Sequence, residues 1–219
     1  MTGSAGVLFD VDGTLVDSNY LHTLAWSRAC RDRDRWAPMN VIHRLVGMGG
    51  DQLTSELFGE PDEELTDRWQ HHYEALIDEV TVFPDAAELL RRLHDAGLRV
   101  VLASSSPADH VDMMIDRLGV RDVIDAATSA DDADASKPAP DIFEAALEAG
   151  GLAGDRALVV GDSIWDVRAA RAAGLGAVAV ESGGFSRHEL TEDGALAVYR
   201  NVGDLAAQWR TSPLGLLRD

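Results

Sequence analysis

The chain contains one cysteine, Cys30, in 219 residues. No intramolecular disulfide framework can form, so a reducing compartment, the cytoplasm, is the expected home. Cys30 lies in Leu24-Ala25-Trp26-Ser27-Arg28-Ala29-Cys30, a helical-looking run without an activating base in a recognisable motif, and reads as a small buried hydrophobe. Positive charge is scarce: 19 basic residues stand against 38 acidic ones, a net charge of -19. Such a surface repels phosphate backbones, so no nucleic-acid partner is expected, and an anionic membrane is disfavoured as well. Long apolar runs are missing too. None approaches the roughly 18 residues of a membrane span, and no basic stretch precedes the first apolar run, so neither an anchor nor a leader is expected. Internal repeats are absent, and nothing fixes an oligomeric state; a monomer is compatible with all of this.

Hydrophobic residues make up 46% of the chain, interleaved with 26% charged ones, as in soluble globular enzymes. Short apolar runs recur at residues 5–9, 98–103, 157–160 and 175–180, and read as buried parallel strands. Amphipathic stretches at 85–96, 108–118, 141–149 and 165–173 alternate with them. The alternation predicts an α/β fold, a Rossmann-like doubly wound parallel sheet. Gly97, Gly119 and Gly174 follow helical stretches, where a left-handed cap residue belongs, and Pro84, Pro107 and Pro138 stand where helices should begin. Residues 16–82 break the pattern. They show helical spacing and no convincing strand, with one apolar stripe through Leu65, Trp69, Tyr73, Leu76 and Val80. The expected organisation is therefore a core of residues 1–15 plus 83–219, with a helical cap at 16–82 lying over the carboxyl ends of the strands, where open α/β sheets bind ligands.

An anion site in so acidic a protein must be built from local cations, metal and backbone amides. Four strand-end elements supply the parts. Asp10-Val11-Asp12-Gly13-Thr14 closes the first strand, and carboxylates two residues apart in extended chain project to one side. A hard cation such as magnesium would relieve their repulsion; a plain Asp-Gly turn is the competing explanation. Gly161-Asp162-Ser163-Ile164-Trp165-Asp166 follows a second strand and places Asp162 and Asp166 on one helix face, as metal ligands or, for Asp162 and Ser163, as helix caps. Ser104-Ser105-Ser106-Pro107 ends a third strand, with hydroxyls and free amides available to an anion; Ser106 reads as a helix cap and Ser104 as the better phosphate ligand. Lys137-Pro138 fixes a lysine at a helix start as a point charge aimed at the sheet edge.

In their order and spacing these elements resemble the haloacid dehalogenase-like superfamily, in particular its phosphatases with a small helical cap, similar to the β-phosphoglucomutase-like and phosphoglycolate-type phosphatases. The resemblance spans essentially the whole chain. It implies a magnesium-dependent hydrolase of a small phosphorylated metabolite, a sugar phosphate or similar, with an aspartyl-phosphate intermediate. It further implies Asp10 as nucleophile, Asp12 as general acid-base, Ser104, Ser105 and Lys137 as phosphate ligands, and Asp10, Asp12 through its main-chain carbonyl, and Asp162 as metal ligands, with Asp166 a further candidate. True dehalogenases of the superfamily lack the second motif aspartate and need no metal, so Asp12 argues against them. The segment His22-x-x-Ala25-Trp26 looks like that of the phosphosugar mutases, whose cap loop presents an arginine to a second phosphate. Here that loop is Gly47-Met48-Gly49-Gly50, without a basic side chain although Arg44 is near, which favours hydrolysis over mutase chemistry. His22, Trp26, Gly47, Gly49 and Gly50 are thus candidate substrate contacts, with core packing for Trp26 and a tight turn for the glycines as the structural alternatives. A non-catalytic binding protein of the same fold is a further alternative, against which the retention of Asp10, Asp12, Lys137 and Asp162 together argues.

Overall fold

The computed structural model describes residues 3–218. The first strand, β1 (Ser4–Phe9), is followed by a two-residue strand, β2 (Val16–Asp17), and then by four helices: α1 (Asn19–Asp32), α2 (Met39–Leu45), α3 (Gly50–Phe58) and α4 (Glu63–Glu74). A second short strand, β3 (Thr81–Val82), returns the chain to the sheet layer. From there α5 (Ala86–Asp95), β4 (Arg99–Ala103), α6 (Ala108–Leu118), β5 (Ala126–Thr128), α7 (Asp141–Gly150) and β6 (Leu152–Gly161) alternate. The alternation ends with α8 (Ile164–Ala172), β7 (Gly176–Val180), α9 (Arg187–Glu192), β8 (Ala197–Tyr199) and α10 (Val202–Gln208). The fold is α/β and Rossmann-like, with one six-stranded sheet in the order β5-β4-β1-β6-β7-β8 and every pairing parallel.

Side-chain alternation divides the core. Val7 and Phe9 of β1 join Val100, Leu102, Val160 and Val178 in one apolar cluster with Leu89, Leu90 and Leu93 of α5 and Val111, Met114 and Ile115 of α6. Leu8 points the other way and joins Val101, Ala103, Val159 and Ala179 with Phe143 of α7 and Val167 of α8. Both faces of the central strands are covered, which is why these runs read as continuous apolar stretches. A fully buried side chain such as Leu90 contributes about 1.5–3 kcal/mol. The strand order reverses beside β1, between β4 and β6, and such a switch point opens a crevice at the carboxyl ends of the strands.

Helix boundaries fall within a residue or two of the expected ones, and Gly97, Gly119 and Gly174 adopt the positive φ that ends each helix. Four points depart from these expectations. Strands β5 and β8 carry only three residues each, too few to display a period, and residues 16–82 do contain strand, since Val16 pairs with Val82 and Asp17 with Thr81 in an antiparallel ribbon. Pro138 does not open a helix: α7 begins at Asp141 with Pro140 as its N-cap, and Pro138 follows a cis peptide bond in the preceding turn. The apolar stripe ends as helix at Glu74, and Leu76 and Val80 are buried from a turn and a 3₁₀ segment instead.

The four helices between the short strands carry their own core of Trp26, Ala29, Cys30, Ile42, Leu53 and Leu65. Cys30 is buried, and burial raises its thiol pKa, against the pull of Arg35.

Candidate active site

Asp10 follows the last residue of β1, its amide donating to the Val160 carbonyl at 2.9 Å, so the sheet itself fixes its place. Lys137, the chain's sole lysine, lies 2.6 Å from Asp10 Oδ1 and 2.8 Å from Asp166 Oδ1, and is 1% exposed. Asp162 follows β6. Its Oδ2 accepts from Asn19 Nδ2 at 2.8 Å, and the Thr14 hydroxyl stands 3.2 Å from both Asp162 Oδ1 and Asp10 Oδ2. Gly13 closes this corner with φ +78°, and a Cβ there would collide with Asp162 and Asn19, so both the conformation and the space demand glycine.

Asp10, Asp162 and Asp166 are buried, with carboxylate oxygens mutually within 4.8 Å. Lys137 is the one cation that pairs with them among the described residues. Three ionised carboxylates beside a single ammonium leave an excess of two negative charges out of water, which a divalent cation would cancel; the donor set fits such an ion. The same excess shows in the acidities. Burial pushes the Asp10 carboxyl up to about 7, with Lys137 pulling it down and Asp166 and Asp12 pushing it further up. Asp162 lies well above the usual carboxylate range, first through burial and then through Asp166 and Asp10. Burial works against the charge of Lys137, but Asp10 and Asp166 hold its pKa above the ordinary lysine value.

Asp166 has little capacity left. Its Oδ2 accepts from Ser163 N and Ser163 Oγ at 3.1 and 2.6 Å, while its Oδ1 faces Lys137. Of the two candidates it is Ser163, not Asp162, that caps α8.

Asp12 faces away from this cluster. Its Oδ1 accepts from Ser18 Oγ at 2.6 Å and lies 3.0 Å from His22 Nε2, and its Oδ2 accepts from Ser106 Oγ at 2.9 Å. Burial pushes the Asp12 carboxyl up, but His22 and the hydrogen bonds from His22, Ser18 and Ser106 outweigh it and hold the group below the usual range. The Ser106 hydroxyl therefore does not cap α6, whose N-cap is Pro107 without a side-chain bond. Ser104 is turned from the open side as well: its Oγ accepts from Ser106 N, and Ser105 and Ser106 line the cavity in its place.

That cavity, about 180 Å³, lies between the strand ends and the four helices, with Asp10 and Asp12 on its floor. His22, Trp26, Gly47, Gly49 and Gly50 all line it, so the structure gathers the helical-segment residues that the sequence offered as substrate contacts. A Cβ on Gly49 would run into the Ser136 side chain, next to Lys137, so this loop touches the sheet domain directly. Arg44 is committed elsewhere, paired with Glu189 and lying 3.9 Å over the Phe185 ring. Sequence reasoning missed Thr14, Ser18, Asn19, Leu53, Thr66, Trp69 and Gln70. The first belongs to the motif already read, and Ser18 has the look of a helix cap although its hydroxyl serves Asp12. Asn19, at the start of α1, reaches Asp162 rather than the cavity, and Leu53, Thr66, Trp69 and Gln70 lie on helix faces that only packing brings to the cavity.

The model of the haloacid dehalogenase-like hydrolases matches residues 5–174. The chain belongs to this family. Among relatives of this hydrolase, a phosphoglycolate phosphatase of Rhodospirillum rubrum is 33% identical over 214 residues, covering 91% of this chain and 88% of that protein. The protein CbbY of Cereibacter sphaeroides is 26% identical and covers 95% and 98% of the two chains. The crystal structure of a hydrolase from Pseudomonas syringae superposes with a TM-score of 0.89 at 34% identity, over 95% of this chain and 98% of that one. This haloacid dehalogenase-like hydrolase is thus an enzyme of the phosphatase kind, a hydrolase of phosphoric monoesters. No helix among the described residues is long and apolar enough to cross a membrane.

Proposed function

We propose that the chain is a magnesium-dependent phosphatase that hydrolyses a small phosphorylated metabolite, a sugar phosphate or similar, through a phosphoaspartate on Asp10. The observation that carries this reading is the buried cluster of Asp10, Asp162, Asp166 and Lys137 with Asp10 open to the cavity. In the first step an Asp10 carboxylate oxygen attacks phosphorus, the bond from phosphorus to the ester oxygen breaks, and Asp12 gives its proton to the departing alkoxide. In the second a water attacks the phosphoaspartate, Asp12 takes the proton, and Asp10 is released with orthophosphate. Bound Mg²⁺, held by Asp10, Asp162 and the Asp12 carbonyl, would supply neutralisation of charge on the phosphoryl oxygens. Lys137 adds a fixed positive charge at the same point, and Asp166 with Ser163 holds that lysine in place.

The donors gathered on Asp12 favour its ionised state, which is the form that deprotonates water. Arrival of an anionic ester beside it raises its proton affinity, which the first step requires. Residues 16–82 act in this scheme as a lid, hinged where Val16 pairs with Val82, that excludes water from the phosphoaspartate. The lone, buried Cys30 suits the reducing cytoplasm as its setting. Mutase chemistry is disfavoured because Arg44 is engaged by Glu189 and no Arg or Lys is among the described residues that line the cavity. The test is phosphate release with and without Mg²⁺, together with mass spectrometry after treatment with acetyl phosphate. A covalent phosphate on Asp10, absent from Asp10→Asn, is the expected result, and full turnover after exhaustive chelation would sink the metal role.

A further inference from the structure

Ser18 and Asn19 follow β2 directly, at the root of the helical segment, and their side chains part: the Ser18 hydroxyl donates to Asp12 and the Asn19 amide to Asp162. An asparagine at a helix start ordinarily caps it. This one does not. Ser18 holds the cap position, without a side-chain bond, while Asn19 is the first residue of α1 and its Nδ2 lies 2.8 Å from Asp162 Oδ2, 143 residues away. The other end of the same amide, Oδ1, is buried without a donor among the described residues. Burying an amide with its acceptor unpaired costs stability, so helix formation and packing do not account for the residue. The side-chain bond it does make goes to a candidate metal ligand. Backbone crowds that ligand as well: a Cβ on Gly13 or on Gly183 would collide with Asp162 Oδ2, and the Ser182 hydroxyl ties the turn at 181–183 to the Gly13 carbonyl at 2.7 Å. With Oδ2 committed to Asn19, Oδ1 is left beside the Thr14 hydroxyl that Asp162 shares with Asp10.

Resting on the metal role proposed above, we infer that Asn19 is a positioning residue for the divalent ion, one that fixes the rotation of the Asp162 carboxylate so that Oδ1 is presented beside Asp10. The partners that orient a metal ligand contribute to affinity almost as the ligands do. Asn19 belongs to the helical segment and Asp162 to the sheet, so the bond exists only while the root of α1 lies against the strand ends. Metal affinity and the docking of α1 are therefore linked, and by reciprocity the ion strengthens the docking that favours its own binding.

The experiment is calorimetric titration of the full chain with Mg²⁺, together with amide hydrogen exchange with and without the ion, on the wild type, Asn19→Leu and Asn19→Ala. The first variant keeps the volume without the amide, and the second relieves any crowding should the first fail to fold. Each should raise the Mg²⁺ dissociation constant about tenfold or more. In the wild type Mg²⁺ should slow exchange in β2 and the first turn of α1, and in the variants that slowing should be lost even at saturating Mg²⁺. An asparagine that serves only the fold would lower the melting temperature of the metal-free protein and leave the dissociation constant alone. That result overturns the inference and leaves the phosphatase reading standing, as does a Mg²⁺-induced slowing in α1 that survives in both variants, or failure of both to fold. A wild type that binds no Mg²⁺ overturns the metal role and the inference with it.

Discussion

The floor and the roof of the cavity are built on opposite principles. The floor concentrates charge: three buried carboxylates and a fully buried lysine, placed by strand ends whose backbones are locked into the sheet. The roof is four helices holding an aromatic ladder, with His22 stacked on Tyr73 at 4.0 Å, Tyr73 on Trp69 at 5.7 Å and Trp69 on Trp26 at 5.2 Å. Charge that must act on a reacting phosphoryl group needs fixed geometry, and rigid strands supply it. Recognition of a leaving group needs surface and shape, and helices on a two-stranded hinge supply these without disturbing the floor. The two meet, among other points, where Asp12 meets Ser18 and His22, Asn19 meets Asp162, Gly49 meets Ser136, and Arg44 meets Glu189 and Phe185.

If this division holds, floor substitutions should abolish chemistry on every ester. Asp10→Asn should lower kcat by roughly ten-thousandfold or more for sugar esters and acetyl phosphate alike, while the melting temperature holds or rises. A preserved rate on any ester would break the comparison at its base.

Lys137→Ala tests the floor as structure. It leaves two buried carboxylates without their cation, and urea unfolding should show a loss of about 3–5 kcal/mol. Added Mg²⁺ should recover part of it.

The two aspartates at the start of α8 should separate. Asp162→Ala should raise the Mg²⁺ concentration for half-maximal activity more than Asp166→Ala does, because both oxygens of Asp166 are already engaged. Equal shifts in a metal titration would place Asp166 among the ligands.

On the roof, Trp26→Leu should change the ranking of substrates and leave the Mg²⁺ requirement where it was. A uniform loss over all esters would make the aromatic wall purely structural.

The smallest effect concerns the seam. His43 of α2 sits against Gly184 and stacks on Tyr20 at 4.8 Å, and burial with the Arg44 charge depresses its pKa below the usual histidine value. Its neutral form is the one the fold favours, so its contribution is intact above a pH of about 6.5 and is lost as pH falls through the depressed folded value. Melting curves should therefore show the wild type losing slightly more stability than His43→Gln between about pH 7 and pH 5.

Both halves of this division were legible in sequence, to different depths. The apolar runs around Val7, Val101 and Val159 announced a sheet because strands buried on both faces leave no other pattern, and the acidic pairs at their ends announced a charged floor. Ser106 was misread for a physical reason: a serine before proline at a helix start looks like a cap, and only the approach of Asp12 from another strand end shows where its hydroxyl goes. Trp69 belonged to a visible apolar stripe, but a stripe says that a face is covered and not by what.

The local chain alone marked the long strands β1, β4, β6 and β7, the helices α5 to α8 that alternate with them, the interruption at 16–82, and the residues that could carry charge, since each depends on period, caps and spacing within a few residues. The tertiary structure decided the rest. Lys137 meets an aspartate 127 residues away, Asn19 meets Asp162 143 residues on, and Arg44 is taken up by Glu189. Such pairings are set by which strands become neighbours and how the helical segment lies over them, and no local period encodes either.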